Sequence, residues 1–155
     1  MPGELGFDTG PFVNVAAFCE RAIHEKDGVL SLVRVIDQIN VETQGLDAPE
    51  ELPPGALIQT TLVIVLKPGA ARGRQSVQVT LEHPDASRHA GPVQSVQFTG
   101  GPNNGANIVL QMAIQLSTAG LYWADVMVTD RIVTRVPLEV TYGFTRAPSM
   151  GPPVP

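Results

Sequence analysis

The stretch from Leu121 to Tyr142 reads Leu-Tyr-Trp-Ala-Asp-Val-Met-Val-Thr-Asp-Arg-Ile-Val-Thr-Arg-Val-Pro-Leu-Glu-Val-Thr-Tyr, two alternating runs joined by a polar turn. Side chains along a strand point to opposite faces in turn, so this pattern predicts a β-hairpin with one buried face. With Thr129, Asp130 and Arg131 as the loop, Val128 lies opposite Ile132. That register gathers Tyr122, Ala124, Val126 and Val128 with Ile132, Thr134, Val136, Leu138 and Val140 on a core face. On the other face it sets Asp125 opposite Arg135, Met127 opposite Val133 and Trp123 opposite Pro137. An opposite-charge pair within an apolar patch supports the register. Pro137 lacks an N–H, so its strand is expected to be an edge or to pair on one side only at that point.

The same period of two recurs upstream. Apolar residues alternate from Phe12 to Ile23 and from Val29 to Val41, around a turn at Asp27-Gly28, and predict an opening hairpin. In the first arm Val15, Ala16, Ala17, Phe18, Cys19 and Ala22 also fit a helical stripe; the strand is the preferred reading. Gln44 to Gly55 holds three prolines and two glycines and reads as a long loop. Leu57 to Leu66 is apolar on both parities, as a central strand would be. Val77 to Leu81 alternates with polar residues, Gln94 to Phe98 suits a short edge strand, and Ile108 to Leu116 alternates strictly. Seven strands and a short eighth, with no helix of ten residues, predict an all-β antiparallel sandwich, immunoglobulin-like or of the C2 or jelly-roll type. The expected organisation is an N-terminal arm (1–11), one sandwich domain (12–144) and a proline-rich extended tail (145–155).

At 155 residues the chain suits a single domain that buries roughly two-thirds of its unfolded surface. Its 15 glycines and 14 prolines fall between apolar runs, the punctuation of many short strands. A net charge of −5 argues against nucleic acid or an anionic membrane as partner, since both require a concentrated basic face. The small cluster of Lys67, Arg72 and Arg74 reads as a solvated loop. No apolar run approaches the roughly 20 residues of a spanning helix, and the N-terminus lacks the pattern of a secretory signal. With a single cysteine, Cys19, the expected compartment is the cytoplasm, a virion being the alternative.

Phe18-Cys19-Glu20, the Lys26-Asp27-Gly28 turn and the strand Val29-Leu30-Ser31-Leu32-Val33-Arg34-Val35-Ile36-Asp37, together with Gly120-Leu121-Tyr122 and a proline-containing last strand, resemble a family of short uncharacterised bacterial proteins. The resemblance covers most of the chain. It implies a β-sandwich with no assigned activity.

No catalytic or cofactor constellation emerges. His24, His83 and His89 lie in or beside turns without ligand spacing, and no metal is expected. Cys19 and His24 are five apart on a strand and point to opposite faces, so Cys19 reads as a buried structural thiol. Thr99-Gly-Gly-Pro-Asn-Asn-Gly105 is followed by a strand, not by the helix a phosphate cradle needs. The expected function is therefore non-enzymatic, with no cofactor: binding of another protein, or self-association, through Leu121, Trp123, Asp125, Met127, Val133, Arg135 and Pro137 on the outer face of the last hairpin. One alternative is a structural subunit, a decoration or tail protein of a phage-like particle. Another is a carbohydrate- or calcium-binding sandwich that uses the loops at 44–55, with Asp47, Glu50 and Glu51, and at 99–105.

Overall fold

The alternating runs of the last hairpin form β9 (Gly120–Val128) and β10 (Arg131–Thr145), and the chain folds around them as a two-sheet β-sandwich. The computed structural model describes residues 10–101 and 104–146. Most of the expected N-terminal arm, the tail beyond residue 146 and positions 102–103 of the connector lie outside the described residues. Among those described, the chain forms strands and no helix: β1 (Phe12–His24), β2 (Leu30–Ile36), β3 (Gln38–Gln44), β4 (Leu57–Lys67), β5 (Gly73–Glu82), β6 (Arg88–Ala90), β7 (Gln94–Phe98) and β8 (Ala106–Gln115) precede the hairpin. The first arm is thus a strand and not the competing helix.

One sheet is four-stranded and antiparallel, in the order β2-β1-β4-β8. The other runs β3-β10-β9-β5, and along the free side of β5 lie β7, paired with Gly73–Val77, and β6, paired with Thr80–Glu82. Phe18, Leu62, Ile64, Leu66 and Ile114 from the first sheet meet Val79, Tyr122, Val126, Leu138 and Val140 from the second to form the core. Each inward set has a single parity on its strand, which is why the alternation in sequence translates directly into a buried layer.

Two expectations are corrected. The run from Val29 to Val41 is not one strand. β2 pairs with β1 in the four-stranded sheet, the chain crosses at Asp37, and β3 joins the other sheet parallel to β10. The cause is a change of parity. Leu30, Leu32 and Ile36 are even and share the core-facing parity of β1, whereas Ile39 and Val41 are odd, so a single straight strand could not turn both groups inward. The Asp37 carbonyl accepts the Glu139 N–H at 3.0 Å and anchors the crossing.

The second correction concerns the tip of the last hairpin. The loop is the two residues Thr129 and Asp130, both at positive φ (45° and 63°), a turn whose twist matches that of the flanking strands. Val128 therefore faces Arg131, and Met127 faces Ile132 instead of Val133. A bulge between Ile132 and Thr134 absorbs the extra residue and restores the expected register, so that Asp125 faces Arg135 and Trp123 faces Pro137. Ile132, expected in the core, is 49% exposed, while Val133, expected outside, packs against the core.

β3 pairs with β10 only from Glu139 onward, so Pro137 pairs with β9 alone and no partner is asked for its missing N–H. The β8–β9 connection is pinned by Tyr122. Its fully buried side chain sends the hydroxyl to the Thr118 carbonyl at 2.6 Å and accepts the Ser117 N–H at 3.1 Å. Tyr122→Phe leaves both backbone groups without this partner and is expected to lower stability by roughly 1–3 kcal/mol, read from urea unfolding midpoints.

Candidate functional site

The outer face of the larger sheet is built by three registers. β9 aligns with β10 so that Asp125 meets Arg135, with β5 so that Thr80 meets Asp125 and Glu82 meets Trp123, and β5 aligns with β6 so that Glu82 meets Arg88. Four charges from four strands thereby converge. Asp125 Oδ1 accepts from Arg135 Nε at 2.6 Å and Oδ2 from Arg88 Nη2 at 2.9 Å. Glu82 accepts from Arg135 Nη2 at 2.8 Å through Oε2 and from Arg88 Nη1 at 3.0 Å through Oε1.

The result is a closed, neutral ring of alternating charge. Asp125 sits at its base, 1% exposed, while both arginines reach solvent. A carboxylate at that depth is stable only with its oxygens occupied, and here each oxygen takes a charge-assisted hydrogen bond. The hydrogen bond to Asp125, followed by that to Glu82, raises the pKa of each guanidinium further above its ordinary range.

Above the ring, the Arg135 guanidinium lies 4.7 Å from the centre of the Trp123 ring. Leu121 and Pro137 are exposed beside it and Met127 is half-buried. Of the residues expected here, Asp125 and Arg135 come together as the sequence pairing predicts, with Trp123 and Pro137 adjacent to them. Val133 is turned inward by the bulge, and Asp125 is covered by its own arginines, so neither presents a group to a partner. Glu82 and Arg88 were missed. Glu82 carried a signal, ending the polar parity Gln78, Thr80, Glu82 on the wet face of β5. Arg88 carried none, because β6 is three exposed residues without an apolar pattern.

Elsewhere, the turn after β5 returns His89 to His83, their rings 4.7 Å apart and edge-on, although their spacing suggested no grouping. His83 is buried, its Nδ1 is 3.0 Å from Ser117 Oγ, and it lines a cleft of about 450 Å³ with His89, Ser87 and Ile114. No group of three or more His, Cys, Asp or Glu among the described residues is placed to hold a metal ion. Of the acidic loop residues, Glu50 pairs with Arg146 at 3.4 Å. Arg72 donates to the carbonyls of Gly69 and Ala71 within its own turn. Cys19 is buried, its thiol donates to the Arg21 carbonyl at 3.4 Å, and burial pushes its pKa up. No helix of the described residues is long and apolar enough to cross a membrane.

Two packed sheets, mostly antiparallel, with an ion-paired outer face define a β-sandwich. Residues 14–141 match the family of unknown function DUF6941, and the chain belongs to that family. The resemblance carried by the opening hairpin and the last strands pointed to a family of this kind. No curated protein matches the chain. Among solved structures it is similar to part of the β-glucosidase of Listeria innocua in complex with glucose, with a TM-score of 0.47 and 14% identity over 71% of this chain and 15% of that one. It is also similar to part of the alkylpurine DNA glycosylase AlkC of Pseudomonas fluorescens bound to DNA containing an abasic site analog, with a TM-score of 0.41 and 11% identity over 67% of this chain and 27% of that one. The chain thus spans well under two-thirds of either protein.

Two outcomes test this geometry. Asp125→Ala removes the base of the ring and leaves Arg88 and Arg135 facing each other across Glu82. A loss of about 2–3 kcal/mol is expected in urea unfolding, below the cost of a fully buried pair because both arginines can turn to water. His83 supplies the second test. Burial, and secondarily His89, lowers its pKa from the ordinary value of 6.5, against a smaller upward pull from Asp85. The unfolded chain therefore binds this proton more readily than the folded one. The stability contributed by the neutral imidazole is present above the unfolded value and is lost as the pH falls through the lower folded value. His83→Gln is expected to flatten the decline in unfolding free energy between about pH 7 and pH 5; equal slopes in both proteins would assign that decline to other groups.

Proposed function

We propose that this protein is a non-enzymatic protein-binding module that engages a partner through the outer face of the β9–β10 hairpin. The observation that carries the reading is the Trp123–Arg135 pair held in place by the buried Asp125. Trp and Arg are the side chains that most often dominate a protein interface, and both lose less freedom on binding when they are already ordered. Arg135 is tied at Nε and Nη2, and Trp123 stands on a central strand beneath it. Leu121 and Pro137 supply the apolar surround, and Arg88 a second oriented cation at the rim.

A ring whose charges cancel has little pull on a polyanion, which favours a protein over nucleic acid or an anionic membrane. A sugar would stack on the open face of an aromatic ring, and Arg135 occupies one face of Trp123, which favours a protein over a carbohydrate. The single thiol, free and buried, supports a cytoplasmic setting.

The test is affinity capture from an extract of the source organism with the wild-type chain and with Trp123→Ala and Arg135→Ala, each first shown to be folded by near-UV circular dichroism. One partner retained by the wild type and reduced at least about tenfold by either substitution is the expected result, since a central aromatic or arginine anchor contributes that much or more. The same proteins captured in equal amounts by all three chains would overturn the reading.

A further inference from the structure

β8 is a free edge of the four-stranded sheet. It pairs with β4 through ten consecutive residues, Ala106 to Gln115, without a register shift. The Leu116 N–H donates to the Ala56 carbonyl at 2.7 Å and extends that ladder by one pair, which fixes the phase of the strand. Leu116 and the even-numbered residues before it turn their backbone groups to β4, so Asn107, Val109, Gln111, Ala113 and Gln115 turn theirs outward. Among the described residues no hydrogen bond reaches these five N–H and five C=O groups. Edge strands are ordinarily blunted by shortness, charge, proline or a bulge. The other edges follow that rule. β6 and β7 have three and five residues, β3 presents alternating polar side chains that include Glu42, and β2 carries Arg34 at a φ of 55°, where its ladder with β1 lapses. The ten residues of β8, Ala-Asn-Ile-Val-Leu-Gln-Met-Ala-Ile-Gln, hold no charge and no proline.

Two clefts lie along this edge, between β8 and the β5–β6–β7 side of the other sheet. One, of about 280 Å³, is bordered by Val79, Pro92, Leu110 and Met112. The other is the cleft of about 450 Å³ described above, with Leu81 and Ile114 as apolar wall and His83, Ser87 and His89 at its polar end. Ser117 engages His83 Nδ1, whereas His83 Nε2 and both nitrogens of His89 have no hydrogen-bond partner among the described residues.

We infer that the β8 edge is a second binding site, which takes an extended peptide segment of another protein by strand addition. A row of unpaired donors and acceptors at strand spacing is complementary to the backbone of another strand. A strand laid about 4.8 Å beyond β8 sends every second side chain, about 7 Å apart, over the two clefts. The lining specifies an apolar side chain for the smaller cleft and, for the larger, an apolar stem with a hydrogen-bonding tip that meets the two imidazoles. A second copy of the chain does not meet this requirement. Its β8 would arrive with Ile108 and Ile114 committed to its own core, 5% and 2% exposed, and would leave the clefts unfilled. A peptide without a core of its own has those side chains to place. The inference goes beyond the hairpin reading and does not depend on it, because β8 belongs to the other sheet.

The probe is a set of decapeptides selected on the full chain from a random display library and then synthesised. The selected sequences are expected to alternate apolar residues. Their binding is expected to slow hydrogen exchange, read by NMR, at the Asn107, Val109, Gln111, Ala113 and Gln115 amides, which exchange fast in the free chain. N-methylation of one alternate set of peptide amides is expected to weaken binding at least about tenfold and of the other set by no more than about threefold, because only every second N–H faces β8. Ala113→Pro removes one outward N–H and no bond to β4, and is expected to weaken binding at least about tenfold, while Trp123→Ala leaves it unchanged. Should Ala113→Pro fail to fold, the methylated peptides decide. The proposal is overturned if no peptide binds below about 1 mM, or if methylation acts without alternation. It is equally overturned if the five amides are already protected in the free chain: protection at every concentration assigns the edge to the chain itself, and protection that grows with concentration assigns it to a second copy.

Discussion

The buried carboxylate of Asp125 is the constraint around which the larger sheet is arranged. A charge at that depth has to be matched, and the matching cations come from strands on either side of β9, Arg135 on β10 and Arg88 on β6. Glu82 on β5 then joins the two arginines from the far side. A slip of one residue between any two neighbouring strands of this set would turn a partner to the opposite face and strip Asp125 of one of its two cations. The ring therefore acts as a register lock for four strands. Its contribution to net stability is small next to that of the core, since each ion is taken partly out of water to form it.

The two sheets present contrasting outer surfaces. On the larger one, polar and charged side chains are tied to each other and surround a single tryptophan. On the smaller one, short β-branched side chains form an uncharged layer.

Much of this was legible in the sequence. The parity of Tyr122, Ala124, Val126 and Val128 against Trp123, Asp125 and Met127 defined β9, and the opposition of Asp125 to Arg135 followed from the hairpin register. The strict alternation from Ile108 to Leu116 defined β8. What escaped reading depended on small offsets. The parity change between Ile36 and Ile39 marked the crossing from one sheet to the other but was masked by the continuous β-rich composition around it. A two-residue turn and a three-residue loop differ by one position, and the compensating bulge left the outer pairs at Asp125 and Trp123 unchanged while exchanging Ile132 and Val133. The apolar character of β4 on both parities was visible and implied cover on both faces.

The parallel pairing of β3 with β10 has a consequence for how the protein is made. Thr141 and Asn40, bonded across that pair, are 101 positions apart. Ile39 and Val41 therefore wait, without their neighbouring strand, until nearly all of the sandwich has been synthesised. Contacts of such long sequence separation must overcome the entropy of closing a large loop before any hydrogen bond compensates it. The β3 side of the larger sheet is consequently completed only after β10 has been synthesised, whereas β5 can already pair with β6, β7 and β9, and a chain that lacks β10 leaves the edge and apolar side of β3 unpaired.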